Sequence, residues 1–149
     1  MPMIISEARA QVIRTAESFL GTPFRMGAAV RGAGVDCGWF LILCYRDVCP
    51  VPEDVPRFTR DWHLHTIEER YLRLIAPFTR PVERPLPGDV ALFRLNRTQQ
   101  HQRPWSHGAV ITDWPQVIHP HWVRGVERGD ATQAPLGNRP VMFLTPFFE

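Results

Sequence analysis

Lysine is absent from this chain of 149 residues, and all 17 basic residues are arginine. Against 15 acidic residues they leave a formal charge of +2. They are scattered, often beside an acid, as in Arg46-Asp47, Arg60-Asp61, Glu83-Arg84 and Glu127-Arg128. No basic run interleaved with aromatics exists, so a nucleic-acid partner is not expected. Long apolar runs are lacking too. The longest, Trp39 to Tyr45, falls far short of the ~18 residues of a membrane span, so membrane insertion is not expected. Met1 to Ser6 holds no basic segment leading into an apolar stretch and no small-residue cleavage site, which predicts synthesis in the cytoplasm without a secretory signal. Cysteine is sparse. Cys37, Cys44 and Cys49 are odd in number and lack CxxC spacing, which argues against a disulfide framework and for a reduced compartment.

What is present fits a single domain over residues 1–149. An apolar content of 44%, with nine Phe and five Trp, excludes a wholly disordered chain and suffices for one core. Val12, Ile13, Ala16, Phe19 and Leu20 follow helical spacing, which predicts a helix over 6–20 with Ser6 as N-cap and Gly21 and Pro23 as its stop. A glycine-bearing loop, 21–35, leads to Asp36-Cys37-Gly38 and a second, buried helix running to Val48. Residues 50–87 hold seven of the 15 prolines and read as an insertion. Within it, Leu64, Ile67, Tyr71, Leu74 and Ile75 predict a helix capped by Asp61 and ended at Pro77, with a Glu69/Arg73 pair on its exposed side. From Asp89 onward the pattern is that of short strands: Asp89–Leu95, Ser106–Thr112, Gln116–Pro120, Val123–Glu127 and Val141–Phe147. Helices followed by consecutive strands predict an α+β fold, with helices packed on one face of a small antiparallel sheet.

Cys37 stands where the first turn of the buried helix is expected. Unpaired N–H groups and the positive dipole end there favour a thiolate, lowering its pKa from about 8.5 toward neutrality. Gly38 beside it leaves the backbone open to a substrate. The bland alternative is a small buried thiol. Cys44, in mid-helix, and Cys49, at the far pole before Pro50, have no such help. A thiolate nucleophile needs a base, and that base needs an orienting partner. His107 begins one predicted strand and His119 ends the next. With Thr112–Trp114 as a three-residue loop, His107 faces His119 across ~4.5–5.5 Å. A two-residue loop at Asp113-Trp114 sets Pro120 opposite instead and turns His119 away. His121 shares the parity of His119 and is its rival. The pairs His119-x-His121 and His63-x-His65 suggest metal, but spacing pins no third ligand, and neither a metal nor a cofactor is expected. Trp39 and Trp105 are candidate groove walls and equally candidate core.

In this order the pieces resemble the NlpC-type cell-wall peptidases, a branch of the papain-like cysteine peptidases. The likeness is carried by Gly21-Thr22-Pro23-Phe24-Arg25-Met26-Gly27, by Gly34-Val35-Asp36-Cys37 and by Pro87-Gly88-Asp89-Val90-Ala91-Leu92-Phe93. Ser106-His107-Gly108-Ala109-Val110-Ile111 and Val117-Ile118-His119 complete it. The resemblance implies a papain-like fold, with Cys37 as nucleophile, His107 as base and His119 as the third, polar residue. Phe24, Asp36, Gly38, Trp39 and Ser106 are candidate substrate-side residues, Asp36 either capping the helix or meeting a substrate amino group. The implied substrate is the peptidoglycan stem peptide, often cut between D-glutamate and the diamino acid. The Asp61-Trp62-His63-Leu64-His65 segment resembles tail-associated peptidases of phages and gene transfer particles. That implies phage-like tail proteins as partners and action in the periplasm of a target cell. The chain departs from the family where Phe24 replaces a frequent Tyr and Gly38-Trp39 replaces the common Ser-Gly pair. Both departures leave oxyanion stabilisation to backbone N–H groups, chiefly that of Cys37. The insertion also lengthens the interval from Cys37 to His107. A non-catalytic tail-tip module, and an amidase or acyltransferase on the same scaffold, are the rival readings.

Overall fold

Helix α1, Ile5–Ser18, buries Ala8, Val12 and Ala16 along one stripe, with Phe19 just beyond it. The computed structural model describes residues 4–59, 61–64, 66–95 and 104–148, so Arg60 and His65 lie outside the described residues. The N-cap of α1 is Ile4, without a side-chain cap, and Ser6 falls inside the first turn. Leu20, predicted to be buried, is 37% exposed because the helix has already ended and the chain reverses at Gly21, whose φ is +87°. A two-stranded antiparallel ribbon follows, β1 Ala29–Val30 with β2 Gly34–Val35. Helix α2, Cys37–Tyr45, has no polar face. Phe40 to Tyr45 are all buried, which makes it the central helix.

The insertion does not form one helix from Asp61 to Pro77. Trp62–Leu64 is a single 3-10 turn, an irregular stretch follows, and α3 covers only Arg70–Ile75. Pro77 lies within a second 3-10 turn, Ala76–Phe78. Ile67 is 76% exposed, so its helical spacing with Tyr71 does not reflect a shared buried face. Arg73 donates its N–H to the Glu69 carbonyl at 2.9 Å, but the Glu69 side chain is engaged elsewhere. Its carboxylate accepts the Trp105 N–H at 3.0 Å, which ties the start of α3 to the sheet.

Six strands form one antiparallel sheet: β3 Arg80–Pro81, β4 Val90–Phe93, β5 His107–Asp113, β6 Gln116–His121, β7 Gly125–Asp130 and β8 Val141–Thr145. Their spatial order is β3-β8-β4-β5-β6-β7. Alternation divides the faces. Val90, Leu92, Val110 and Ile118 pack with α1 and α2, whereas Ala91, Phe93, Ala109, Ile111 and Val117 join a smaller cluster closed by Ala131 and Leu136. This is the expected α+β architecture, with the helices on one face. By parity, His107 and His119 stand on the face opposite α1 and α2.

The Pro87-Gly88-Asp89 turn fastens α1 to β4. Asp89, 1% exposed, accepts the Leu86 N–H and pairs with Arg9 of α1, each at 2.8 Å. Gly88, at φ +92°, sits so close to the Arg9 backbone that a Cβ there would stand 3.1 Å from its Cα. Its carbonyl accepts the buried Tyr45 hydroxyl at 2.7 Å, so one turn holds both helices against the strand that leads to the site.

Candidate active site

The loop 21–35 doubles back on itself and brings Phe24 beside the start of α2. Arg25 donates to the Val35 carbonyl at 3.1 Å and Val35 to the Pro23 carbonyl at 3.0 Å. Gly27, whose φ of +77° favours glycine, donates its N–H to Asp36 Oδ2 at 2.7 Å. Asp36 Oδ1 accepts the Trp39 N–H at 2.8 Å and so caps α2. Of the two roles the sequence left open for Asp36, the structure shows capping, and the same residue also lines the adjoining cavity. Burial pushes its carboxyl pKa up, against the pull of the N–H groups it accepts.

Cys37 is the first residue of α2, as its sequence context predicts, and is partly buried. Its thiol is directed at the Ser106 carbonyl, 3.7 Å away. The expectation of a lowered thiol pKa is not met. Burial and the Asp36 carboxylate push it up to about 12, outweighing the N–H groups of Cys37 and Gly38 and the Tyr71 hydroxyl. Reactive thiols sit in electropositive surroundings, whereas here the Asp36 carboxylate adds to the desolvation. Cys44 is buried in mid-helix, and the Cys49 thiol meets the Tyr45 carbonyl at 3.4 Å. Neither lines the cavity over Cys37.

His107 Nε2 and His119 Nδ1 lie 2.8 Å apart with their rings at 89°. The contact is not made across either predicted register. Val110 pairs with Ile118 and Ile111 with Val117, then a bulge at Thr112 brings Asp113 opposite Gln116, leaving Trp114-Pro115 as the turn. Continued toward the start of β5, this register sets Ala109 opposite His119, so the two imidazoles meet along the diagonal. Diagonal neighbours are ~7–8 Å apart at the backbone, within reach of aromatic rings. His121 turns elsewhere. Its Nδ1 accepts the N–H groups of Val123 and Arg124, both at 3.0 Å, and its ring stacks on Trp122 at 4.5 Å.

Burial and the neighbouring imidazoles hold His107 well below the usual histidine pKa. Burial lowers His119 to about 4, with Glu127 pulling the other way. Both rings are therefore neutral at pH 7. Gly129 of β7 makes room for this arrangement: a Cβ there would stand 3.3 Å from His119 Nε2.

A cavity of about 310 Å³ opens over Cys37 and His107. Asp36, Phe24 and Met26 line it on the side of α2, and Leu95, Ser106, Trp122 and Arg139 on the side of the sheet. Phe58, Trp62 and His63 close it from the insertion, Phe58 and Trp62 packed with ring centroids 5.1 Å apart. Gly38 and Trp39 do not line it. A Cβ on Gly38 would stand 3.1 Å from Val55 and 3.4 Å from Leu74, so this glycine admits the insertion rather than a substrate. Trp39 packs against the core, and Trp105 is buried beneath the Arg94 guanidinium, 4.1 Å above its ring. Among the described residues no three His, Cys, Asp or Glu side chains converge as a metal site, and no helix is long and apolar enough to cross a membrane. The sequence reading missed Phe58, Trp62, Trp122, Arg139 and Tyr71. Trp62 and Trp122 each flank a histidine, the one local signal that marks them, whereas Arg139 has none among 17 arginines.

This arrangement stands on the papain-like α+β fold of the NlpC/P60 structures. No protein-family model matches the sequence, and no curated protein matches it. Among solved structures the chain is similar to NlpC1 from Trichomonas vaginalis, with a TM-score of 0.62 and 17% identity over 97% of this chain and 45% of that one. The NlpC/p60 domain of the peptidoglycan hydrolase SagA is similar with a TM-score of 0.55 and 19% identity, over 92% of this chain and 97% of that domain. An NlpC/P60 family protein from Bacillus cereus gives 0.59 and 18%, over 90% of this chain and 39% of that one. The chain thus spans under half of the first and third, and nearly all of the second.

Proposed function

We propose that this chain is a cysteine endopeptidase cutting stem-peptide amide bonds in peptidoglycan, with Cys37 as nucleophile, His107 as base and His119 as orienting residue. The observation that carries the reading is the His107–His119 hydrogen bond of 2.8 Å at the cavity that Cys37 shares. Nε2 of His107 is committed to His119, so Nδ1 is the nitrogen left for the thiol proton. A thiol held near pKa 12 and a neutral imidazole lining the same cavity make a neutral resting pair rather than an ion pair. The proton then moves to Nδ1 as the sulfur bonds to the peptide carbonyl carbon. His107 returns that proton to the leaving amine as the C–N bond breaks, and a water activated by the same ring releases the acyl group. Backbone N–H groups at the start of α2 receive the developing oxyanion. Asp36, on the cavity wall, meets a substrate amino group.

The shared fold with the SagA domain supports the substrate class. The bond between D-glutamate and the diamino acid, association with phage-like tail proteins and action in a target cell's periplasm extend the same reading from the sequence resemblance. Purified sacculi supply the test. Wild-type protein is expected to release muropeptides, and Cys37→Ala to release none while keeping its circular dichroism and melting temperature. Release by Cys37→Ala refutes the nucleophile, and silence of the wild type at every pH leaves a structural module. A second reading, an amidase or acyltransferase on an apolar amide, draws on the aromatic walls made by Phe24, Phe58, Trp62 and Trp122. Mass spectrometry of the products separates the two.

A further inference from the structure

The insertion reaches the nucleophile from beneath as well as closing the cavity above it. Tyr71 of α3, 1% exposed, donates its hydroxyl to the Cys37 carbonyl at 2.8 Å. The opposite strand is built to admit that hydroxyl: a Cβ on Gly108 would stand 2.4 Å from the Tyr71 oxygen and 2.6 Å from Leu41. Gly108 follows His107 directly, so the strand that carries the base also makes room for the phenol. The Cys37 carbonyl and the Gly38 N–H are two ends of one peptide unit. That N–H belongs to the first turn of α2, whose N–H groups have no intrahelical partner and favour negative charge on a neighbouring sulfur. Hydrogen bonds in series polarise one another, strengthening each by roughly 10–30%. The phenol is a durable donor, since burial and the neighbouring Cys37 and Asp36 push its pKa well above 10.

We infer that Tyr71 is a positioning residue for Cys37, supplied by the insertion: its hydroxyl polarises the Cys37–Gly38 peptide so that the Gly38 N–H steadies negative charge on the sulfur. The inference rests on Cys37 being the nucleophile. It gives residues 50–87 a part in the chemistry, because Asp36 repels charge on the sulfur and the Tyr71 hydroxyl opposes it. No bond is made or broken by Tyr71 itself.

The test reads the sulfur directly and does not depend on peptidoglycan cleavage. Iodoacetamide labelling is followed peptide by peptide from pH 6 to 10, with Cys49 as internal reference. Tyr71→Phe keeps the ring and removes the hydroxyl. It is expected to slow labelling of Cys37 roughly threefold to tenfold at pH 8, by moving its pH profile up by as much as one unit, with Cys49 unchanged. A site-specific 3-fluorotyrosine at position 71, a stronger donor of nearly the same shape, is expected to speed it roughly twofold. The fluorinated protein decides the matter should Tyr71→Phe not fold. Equal Cys37 profiles in wild type and a folded Tyr71→Phe, or no gain with fluorotyrosine, overturn the inference and leave Tyr71 as core. If sacculi remain uncut while the profiles move as expected, the assigned reaction fails and the role of Tyr71 stands.

Discussion

His107 and His119 are joined by one hydrogen between Nε2 and Nδ1, at 2.8 Å, and its direction decides what His107 can do. When His107 donates, its Nδ1 carries a lone pair and can take a proton from Cys37. When His119 donates, His107 carries its hydrogen at Nδ1 and has no base to offer. The productive form therefore needs an acceptor at residue 119. His119→Asn retains an acceptor in its amide oxygen, and His119→Ala removes it. Expected kcat losses on a muropeptide substrate are about tenfold for Asn and ~10² or more for Ala, with KM nearly unchanged. Full kcat in His119→Ala would remove the orienting role.

Burial of these neutral rings makes stability depend on acid. His119 binds its proton at a pKa of about 4 in the folded chain, against an ordinary 6.5. Between those values the unfolded chain holds the extra proton, so stability is complete above pH 6.5 and is lost as pH falls toward 4. The loss from His119 is on the order of 3 kcal/mol, and His107, lowered in the same direction, adds to it. Urea unfolding at pH 7 and pH 4.5 measures it. The midpoint is expected to drop sharply at the lower pH in wild type and less in His119→Asn, whose residue 119 cannot titrate. Equal drops in the two proteins would contradict the assignment.

The dyad was legible in the sequence for a reason different from the one its spacing offered. An even register sum is what places His107 and His119 on one face: the two-residue turn at Trp114-Pro115 alone would turn His119 away, and the bulge at Thr112 restores the shared face. A bulge leaves no mark in composition, so the diagonal geometry was hidden. The helix starting at Cys37 was legible because Asp36 is a capping residue before an apolar run. The thiol pKa was not, because dipole and N–H effects can be read from position whereas desolvation depends on what covers the sulfur. The insertion was least legible. Leu64 and Ile67 share helical spacing with Tyr71, yet they lie outside α3, in a stretch fixed by tertiary contacts such as the hydrogen bond from the Trp105 N–H to Glu69. With that stretch went the cavity's far wall.

Phe24 tests how the oxyanion is held. Its ring lines the cavity together with Cys37, and it stands where the resembling family often carries Tyr. Phe offers no donor, so in the proposed reaction the oxyanion relies on backbone N–H groups at the start of α2. Loss of one oxyanion donor typically lowers kcat by ~10²–10³. Phe24→Tyr adds a hydroxyl to a ring that is only partly buried, so desolvation of the added group is modest. A gain in kcat of roughly tenfold is expected, smaller than the full value of a donor because in the proposed reaction backbone N–H groups already hold the oxyanion. KM and melting temperature are expected to hold, since the ring keeps its packing. Steady-state kinetics on a defined stem peptide measures this. An unchanged kcat would mean that the oxyanion forms away from residue 24, on the side of the cavity lined by Arg139 and Trp122.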